Sequence, residues 1–218
     1  MEMTVSRGWL RATGARVFHR FVENPAVFYY ARTHFYWGTR GPLRRALELR
    51  PGERLLDIGC GAGMGAGMTR GMYVGVDMVL TYLRFARARL RDRTTHSFLA
   101  MSALELGFRD AAFDKAMLLN VLHHLDDGMV DRFLTGIARV VRDRIVILDH
   151  DPERNNAIGD WLARHDRGAF VRRCDDLTRL LERRCAVERV ERFHNTEHTV
   201  AYALFVLRVR PPAAASAA

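Results

Sequence analysis

The stretch Arg54-Leu55-Leu56-Asp57-Ile58-Gly59-Cys60-Gly61-Ala62-Gly63 decides the fold. An apolar run leads to Asp57, and glycines follow at positions 59, 61 and 63. A short apolar run of this kind reads as a buried strand. Alternating glycines read as a tight turn that a ligand approaches closely, because a Cβ there would collide with it. Gly65, Gly67 and Met68 continue into a short helix whose N–H groups point at an anionic group. Met72-Tyr73-Val74-Gly75-Val76-Asp77 reads as a second strand, and its acid lies twenty residues beyond Asp57. Strand, glycine turn, helix and acid-ended strand are the layout of a ribose-binding α/β site.

The spacing narrows the reading. Dinucleotide-binding folds carry Gly-x-Gly-x-x-Gly, whereas this turn reads Asp-x-Gly-x-Gly-x-Gly. Leu56 to Gly63 resembles, position by position, motif I of the class I S-adenosylmethionine-dependent methyltransferases. A ligand-free turn is the alternative, but five glycines between 59 and 67 carry an entropic cost that needs another reason. A second passage carries the same resemblance: Phe113-Asp114, an apolar strand from Lys115 to Asn120, then Leu122-His123-His124-Leu125.

Composition bounds the rest. The 218 residues suit one domain with a full core, and 49% hydrophobic content marks a globular chain. No apolar run approaches the roughly 20 residues that span a bilayer, and Arg7, Arg11, Arg16 and Arg20 interrupt any signal-peptide pattern. Three cysteines give no disulfide framework, so a reducing, cytoplasmic location is expected. The net charge of +9 permits an anionic partner. Lys115 is the only lysine, however, and the arginines are scattered, which argues against nucleic acid. No Asn-Pro-Pro-Tyr tetrapeptide follows the fourth strand, as it does in amino-group methylases of bases. No metal is expected: there is no Cys-x-x-Cys, and His194 and His198 fall between strands with no third ligand near them.

Residues 1–50 read as an N-terminal helical extension. Trp9, Leu10, Val17, Phe18, Phe21 and Val22 recur at helical spacing among arginines, giving a basic amphipathic helix that Asn24-Pro25 stops. An aromatic stretch from Phe28 to Trp37 and a helix from Leu43 to Leu49 follow. The extension is a lid over the ligand, a set of helices packed on the core, or a peripheral contact with membrane or lipid. Residues 51–210 form the domain proper, and 211–218 a disordered tail.

Further strands are read at Thr95–Ala100, Lys115–Asn120, Arg144–His150, Ala186–Phe193 and Val200–Val209. Helices are read at Leu80–Leu90, Met129–Val141, Asn155–Leu162 and Asp176–Arg184. The resemblance implies a Rossmann-like α/β fold: a seven-stranded sheet, mostly parallel with the last strand antiparallel, and helices on both faces. It also implies S-adenosyl-L-methionine as cofactor. Asp57 would orient the turn and reach the methionine amino group, Gly59, Cys60, Gly61 and Gly63 would admit the cofactor, and Asp77 would accept both ribose hydroxyls. Met78, Ser102 and Ala103 would border the adenine, and Asn120 and Val121 would lie beside the cofactor. Ser102 departs from the pattern, since the family commonly has an acid there. The Pro-Gly-Gly turn that usually precedes the fifth strand is also missing, and Arg142-Asp143 reads as a shortened one.

Methyl transfer to a small-molecule or lipid-like acceptor is the implied function. A cofactor-binding scaffold without catalysis and a nucleic-acid methyltransferase are the rivals. His150 and His124 are the candidate bases, because an imidazole titrates near neutral pH. Each adjacent histidine, His123 or His124, faces either the acceptor or the core. Arg167 and Arg172 either hold an anionic group or pair with Asp166, Asp175 or Asp176.

Overall fold

The computed structural model describes residues 24–157, 159–160 and 168–209. The basic helix around Trp9–Val22, Arg167, Asp166 and the tail therefore lie outside the described residues, as do residues 158, 161 and 162 of the helix read at 155–162.

Two helices precede the sheet, α1 (Pro25–Phe35) and α2 (Arg40–Leu47). Asn24 and Pro25, read from the sequence as a helix stop, begin a helix. The Asn24 side chain accepts from the N–H groups of Ala26 and Val27 at 3.0 and 3.3 Å, and Pro25 sits where a helix needs no N–H. The chain then runs β1 (Leu55–Ile58), β2 (Tyr73–Asp77), α3 (Leu80–Arg89), β3 (His96–Ala100) and β4 (Phe113–Leu119). It continues through α4 (Asp127–Val140), β5 (Val141–His150), α5 (Cys174–Glu182), β6 (Cys185–His194) and β7 (Ala201–Val209). Short 3₁₀ turns occur at Met64–Met68 and Leu122–His124.

The seven strands form one sheet in the order β3-β2-β1-β4-β5-β7-β6. Only β7 runs antiparallel to its neighbours β5 and β6. This is the Rossmann-like sheet that the family resemblance implies. The central strands are buried along their length, as strands covered on both faces must be. Side chains alternate between two cores. Leu56, Ile58 and Leu118 pack under Phe133, Ile137 and Leu181 of α4 and α5. Leu55, Tyr73 and Met117 face Leu43, Leu47, Leu83 and Ala86 of α2 and α3.

One junction differs from expectation. Arg142-Asp143 is not a turn: α4 passes directly into β5 at Val141, whose partner is Phe113. With no Pro-Gly-Gly to break it, the apolar pair Val140-Val141 stays buried across the helix–strand change.

At the amino ends of the strands, Lys115 and Arg144 are register partners, both buried. Lys115 donates to the Glu48 carbonyl at 2.5 Å and pairs with Glu53 at 3.1 Å. Arg144 donates to the Ala46 carbonyl at 3.0 Å and pairs with Glu48 at 3.0 Å. Two buried cations thus cap the carbonyl end of α2, the end its dipole makes negative, and fix that helix to the sheet.

Candidate active site at the carboxyl ends of the strands

The glycine turn is built by backbone necessity. Gly59 has φ +69°, and a Cβ on it would stand 2.5 Å from Val121 Cγ2. Gly63 has φ +76°, with Ala86 and Phe98 beside it. The N–H groups of Gly59 and Cys60 donate to the Val76 carbonyl at 2.8 and 3.0 Å, which ties the turn to β2. Phe28 of α1 lies over Gly61 and stacks on Tyr82 of α3, with ring centroids 4.5 Å apart. Burial pushes the Cys60 thiol far up, so it packs rather than reacts.

Asp77 closes β2. Its carboxylate accepts from the N–H of Gly61 and of Val79, both at 2.8 Å. Each oxygen retains a lone pair for a further donor. Met78 beside it is 73% exposed, a large apolar side chain at the mouth of the turn. Ser102 and Ala103 lie half-buried after β3, and the Ser102 hydroxyl accepts the Leu104 N–H at 3.2 Å. The serine is therefore spent on its own turn.

Asp57 is only 1% exposed. It sits beneath Gly65, whose added Cβ would stand 2.4 Å from Asp57 Oδ2. The Tyr73 hydroxyl donates to that same oxygen at 2.5 Å. The other oxygen is buried with no hydrogen-bond partner among the described residues. Burial pushes the carboxyl up to about 7; the Tyr73 hydrogen bond opposes this and the charge of Asp77 adds to it. Asp57 thus lies beneath the 3₁₀ turn at Gly65, held by Tyr73. Tyr73 was not singled out in the sequence, although the register places it diagonally beside Asp57 on one face.

The second half of the site lies where β4 and β5 end. Asn120 has the left-handed φ of +55°, costly for a residue with a side chain and characteristic of functional sites. Its amide nitrogen donates toward His150 Nε2 at 3.3 Å, and its oxygen is buried with no hydrogen-bond partner among the described residues. Val121 is half-buried and packs on the glycine turn. Of the adjacent histidines, His123 turns inward and His124 is exposed. His123 Nδ1 lies 2.6 Å from Asp149 Oδ1, and the His123 N–H donates to the other oxygen at 3.2 Å. Burial raises the Asp149 carboxyl, but the facing His123 charge and hydrogen bond outweigh it, with His150 helping, and hold it below the ordinary range. His150 is half-buried, 4.9 Å from the His123 ring, with its N–H donating to Asp149 at 2.8 Å. The histidine–aspartate pair escaped sequence reasoning, because its members lie 26 residues apart and only the β4–β5 pairing joins them.

Arg172 holds no open anion site. Among the described residues it pairs with Asp127 at 2.7 Å rather than with Asp175 or Asp176. Other arginines are similarly matched, as in Arg184–Asp131, Arg192–Asp151 and Arg208–Glu188. Among the described residues no group of three or more His, Cys, Asp or Glu could hold a metal ion, and no helix is long and apolar enough to cross a membrane.

A positive-φ turn, an acid at the end of the next strand and an unsatisfied amide facing them define a nucleoside-cofactor site of the Rossmann-like class. The residues fit S-adenosylmethionine: the turn exposes backbone, Asp77 has lone pairs for two hydroxyls, and the buried Asn120 oxygen awaits a donor. The site is similar to that of the class I S-adenosylmethionine-dependent methyltransferases, and S-adenosylmethionine is the cofactor it fits. Residues 56–147 match the family model described as a methyltransferase domain. The chain is 34% identical over 107 residues to O-methyltransferase rstn1 of Aspergillus nomiae, covering 45% of this chain and 47% of that one. It is 32% identical over 128 residues to the 27-O-demethylrifamycin SV methyltransferase of Amycolatopsis mediterranei, covering 53% and 41%. It thus spans less than half the length of these two relatives. Its fold is similar to that of a putative methyltransferase solved in complex with the Haloferax volcanii Trm112 activator. The TM-score is 0.74 at 16% identity, covering 88% of this chain and 97% of that one.

Proposed function

We propose that this protein transfers a methyl group from S-adenosylmethionine to a hydroxyl of a small-molecule acceptor. The carrying observation is the His123–Asp149 pair, set beside the cofactor turn by the contact of Val121 with Gly59. When bound, the cofactor supplies a methyl carbon on a positively charged sulfur, already poised to leave. The protein must then align the acceptor and exclude water. A hydroxyl also needs its proton removed. His123 would take that proton as the acceptor oxygen is methylated. Asp149 orients the imidazole and stabilises its charged form. His150 stands close enough to relay the proton outward. The O-methyltransferase names of the relatives support oxygen as the acceptor atom.

The test is transfer of labelled methyl to a panel of phenols and polyketide-like hydroxy compounds by the wild type, His123→Gln and Asp149→Asn. Turnover in the wild type that falls at least 100-fold in both variants supports the reading. Tight cofactor binding with no turnover across the panel would favour the scaffold instead, the reading to which the serine at position 102 also leans.

A further inference from the structure

We infer that Arg172 is a latch, holding the segment Gly168–Phe170 across His123 so that acceptors reach the histidine–aspartate pair only when the latch opens. This rests on the methyl-transfer reading above. Three observations carry it. His123 is 2% exposed although it stands at the ligand-facing end of the sheet. Gly168 lies directly on its ring: a Cβ there would be 2.0 Å from His123 Cδ2, so no other residue lets the segment lie this close. The Phe170 N–H donates to the His123 carbonyl at 2.9 Å, which continues the same contact.

Arg172 fastens this arrangement with every nitrogen of its guanidinium. Nη1 donates to the carbonyls of Leu122 and Phe170 at 3.1 and 3.0 Å, and Nη2 to that of Leu125 at 2.6 Å. Nε donates to Asp127 at 2.8 Å. The residues on either side of His123 and the overlying segment thus hang on one side chain. The rigid fork of arginine suits this, whereas the single ammonium of lysine does not. The ties are to neutral carbonyls and to Asp127, whose side chain is 67% exposed. Ion pairs on so exposed a carboxylate are weak and screened by salt, which makes the latch one that opens. Arg172 is thus a positioning residue. Its guanidinium is fully engaged and does not bind the acceptor.

The test is chemical reactivity of His123, which needs no knowledge of the acceptor. In a His124→Gln background, carbethoxylation by diethyl pyrocarbonate at pH 7 is located by fragment mass spectrometry. Arg172→Ala and Gly168→Ala should each raise the rate at His123 at least tenfold over the parent, with affinity for S-adenosylhomocysteine within twofold. A rate within twofold of the parent in the folded variants would overturn the latch, even if their melting temperatures fall. Should Arg172→Ala fail to fold, Gly168→Ala decides alone. If the parent binds no S-adenosylhomocysteine, the methyl-transfer reading fails, and the reactivity ratio still decides the latch by itself.

Discussion

Both ends of the sheet carry buried polar side chains and use them in opposite ways. At the amino ends, Lys115 and Arg144 are enclosed, and each meets a backbone carbonyl and a carboxylate. Arg144 in turn holds the Glu48 carboxyl below its ordinary range. Opposite charges are matched there, and the product is a fixed helix. At the carboxyl ends, Asp57, Asp77 and Asp149 gather with two histidines and an amide, and no lysine or arginine faces the three acids in the contacts described. Among the described residues one oxygen each of Asp57 and Asn120 has no hydrogen-bond partner, and Asn120 holds a left-handed backbone. One end is complete as it stands; the other is arranged for something to arrive.

The largest expected effect comes from breaking this contrast with pH. The Asp57 carboxyl is held near 7 in the folded protein by burial, against about 3.9 when unfolded. Between those values the unfolded chain has lost a proton that the folded protein keeps, so stability falls as pH rises from about 4 to 7. The loss is up to about 4 kcal/mol. Urea unfolding at pH 4.5 and 7.5 should show that Asp57→Asn removes most of this slope. A parallel slope in the variant would contradict the assignment. Asp149 works in the other direction: its depressed carboxyl contributes stability that is lost only as the solution is acidified below about 4.

At the amino end, Lys115→Ala leaves Glu53 and the Glu48 carbonyl uncompensated and should cost about 3 kcal/mol. Affinity for S-adenosylhomocysteine should stay within twofold, because no part of the cofactor site moves. Thermal unfolding alongside calorimetry checks both halves.

These contrasts explain what could be read in advance. The α/β class follows from local features, the alternation of apolar runs with helical periods, while the seven-stranded sheet came with the family resemblance and the strand order only with the structure. The glycine turn is local too: Asp57, Gly59 to Gly63 and Asp77 lie within one strand–turn–strand unit. The acceptor half depends on register. That His123 rather than His124 turns inward is set by the 3₁₀ turn and by Asp149 on the neighbouring strand, and adjacent residues offer no local signal to separate them. Arg172 reads from the sequence as either an anion holder or a partner of nearby aspartates; its partners are the carbonyls of Leu122, Leu125 and Phe170 together with Asp127, and carbonyl acceptors leave no mark in a sequence. Lys115 and Arg144 read as ordinary strand residues for the same reason.

Two smaller effects sharpen the cofactor side. Gly59→Ala must accommodate a Cβ against Val121 at a backbone angle that alanine resists. It should weaken S-adenosylhomocysteine binding about tenfold, roughly 1.4 kcal/mol. Ser102→Asp restores the acid that the family carries beside the adenine. It should tighten binding about fourfold, with the off-rate in stopped flow showing most of the gain. An unchanged or weaker affinity would mean that the turn held by Ser102 through Leu104 does not border the adenine.

The most direct measurement is calorimetric titration of S-adenosylhomocysteine into the wild type and Asp77→Ala at pH 7.5. If Asp77 accepts both ribose hydroxyls, removing the carboxylate takes away two charge-assisted hydrogen bonds, so micromolar binding in the wild type should weaken about 100-fold in the variant. The melting temperature of the free protein should stay within a few degrees. Equal affinity in both proteins, or no binding in either, would contradict the central claim that the carboxyl ends of β1 and β2 hold the methyl donor.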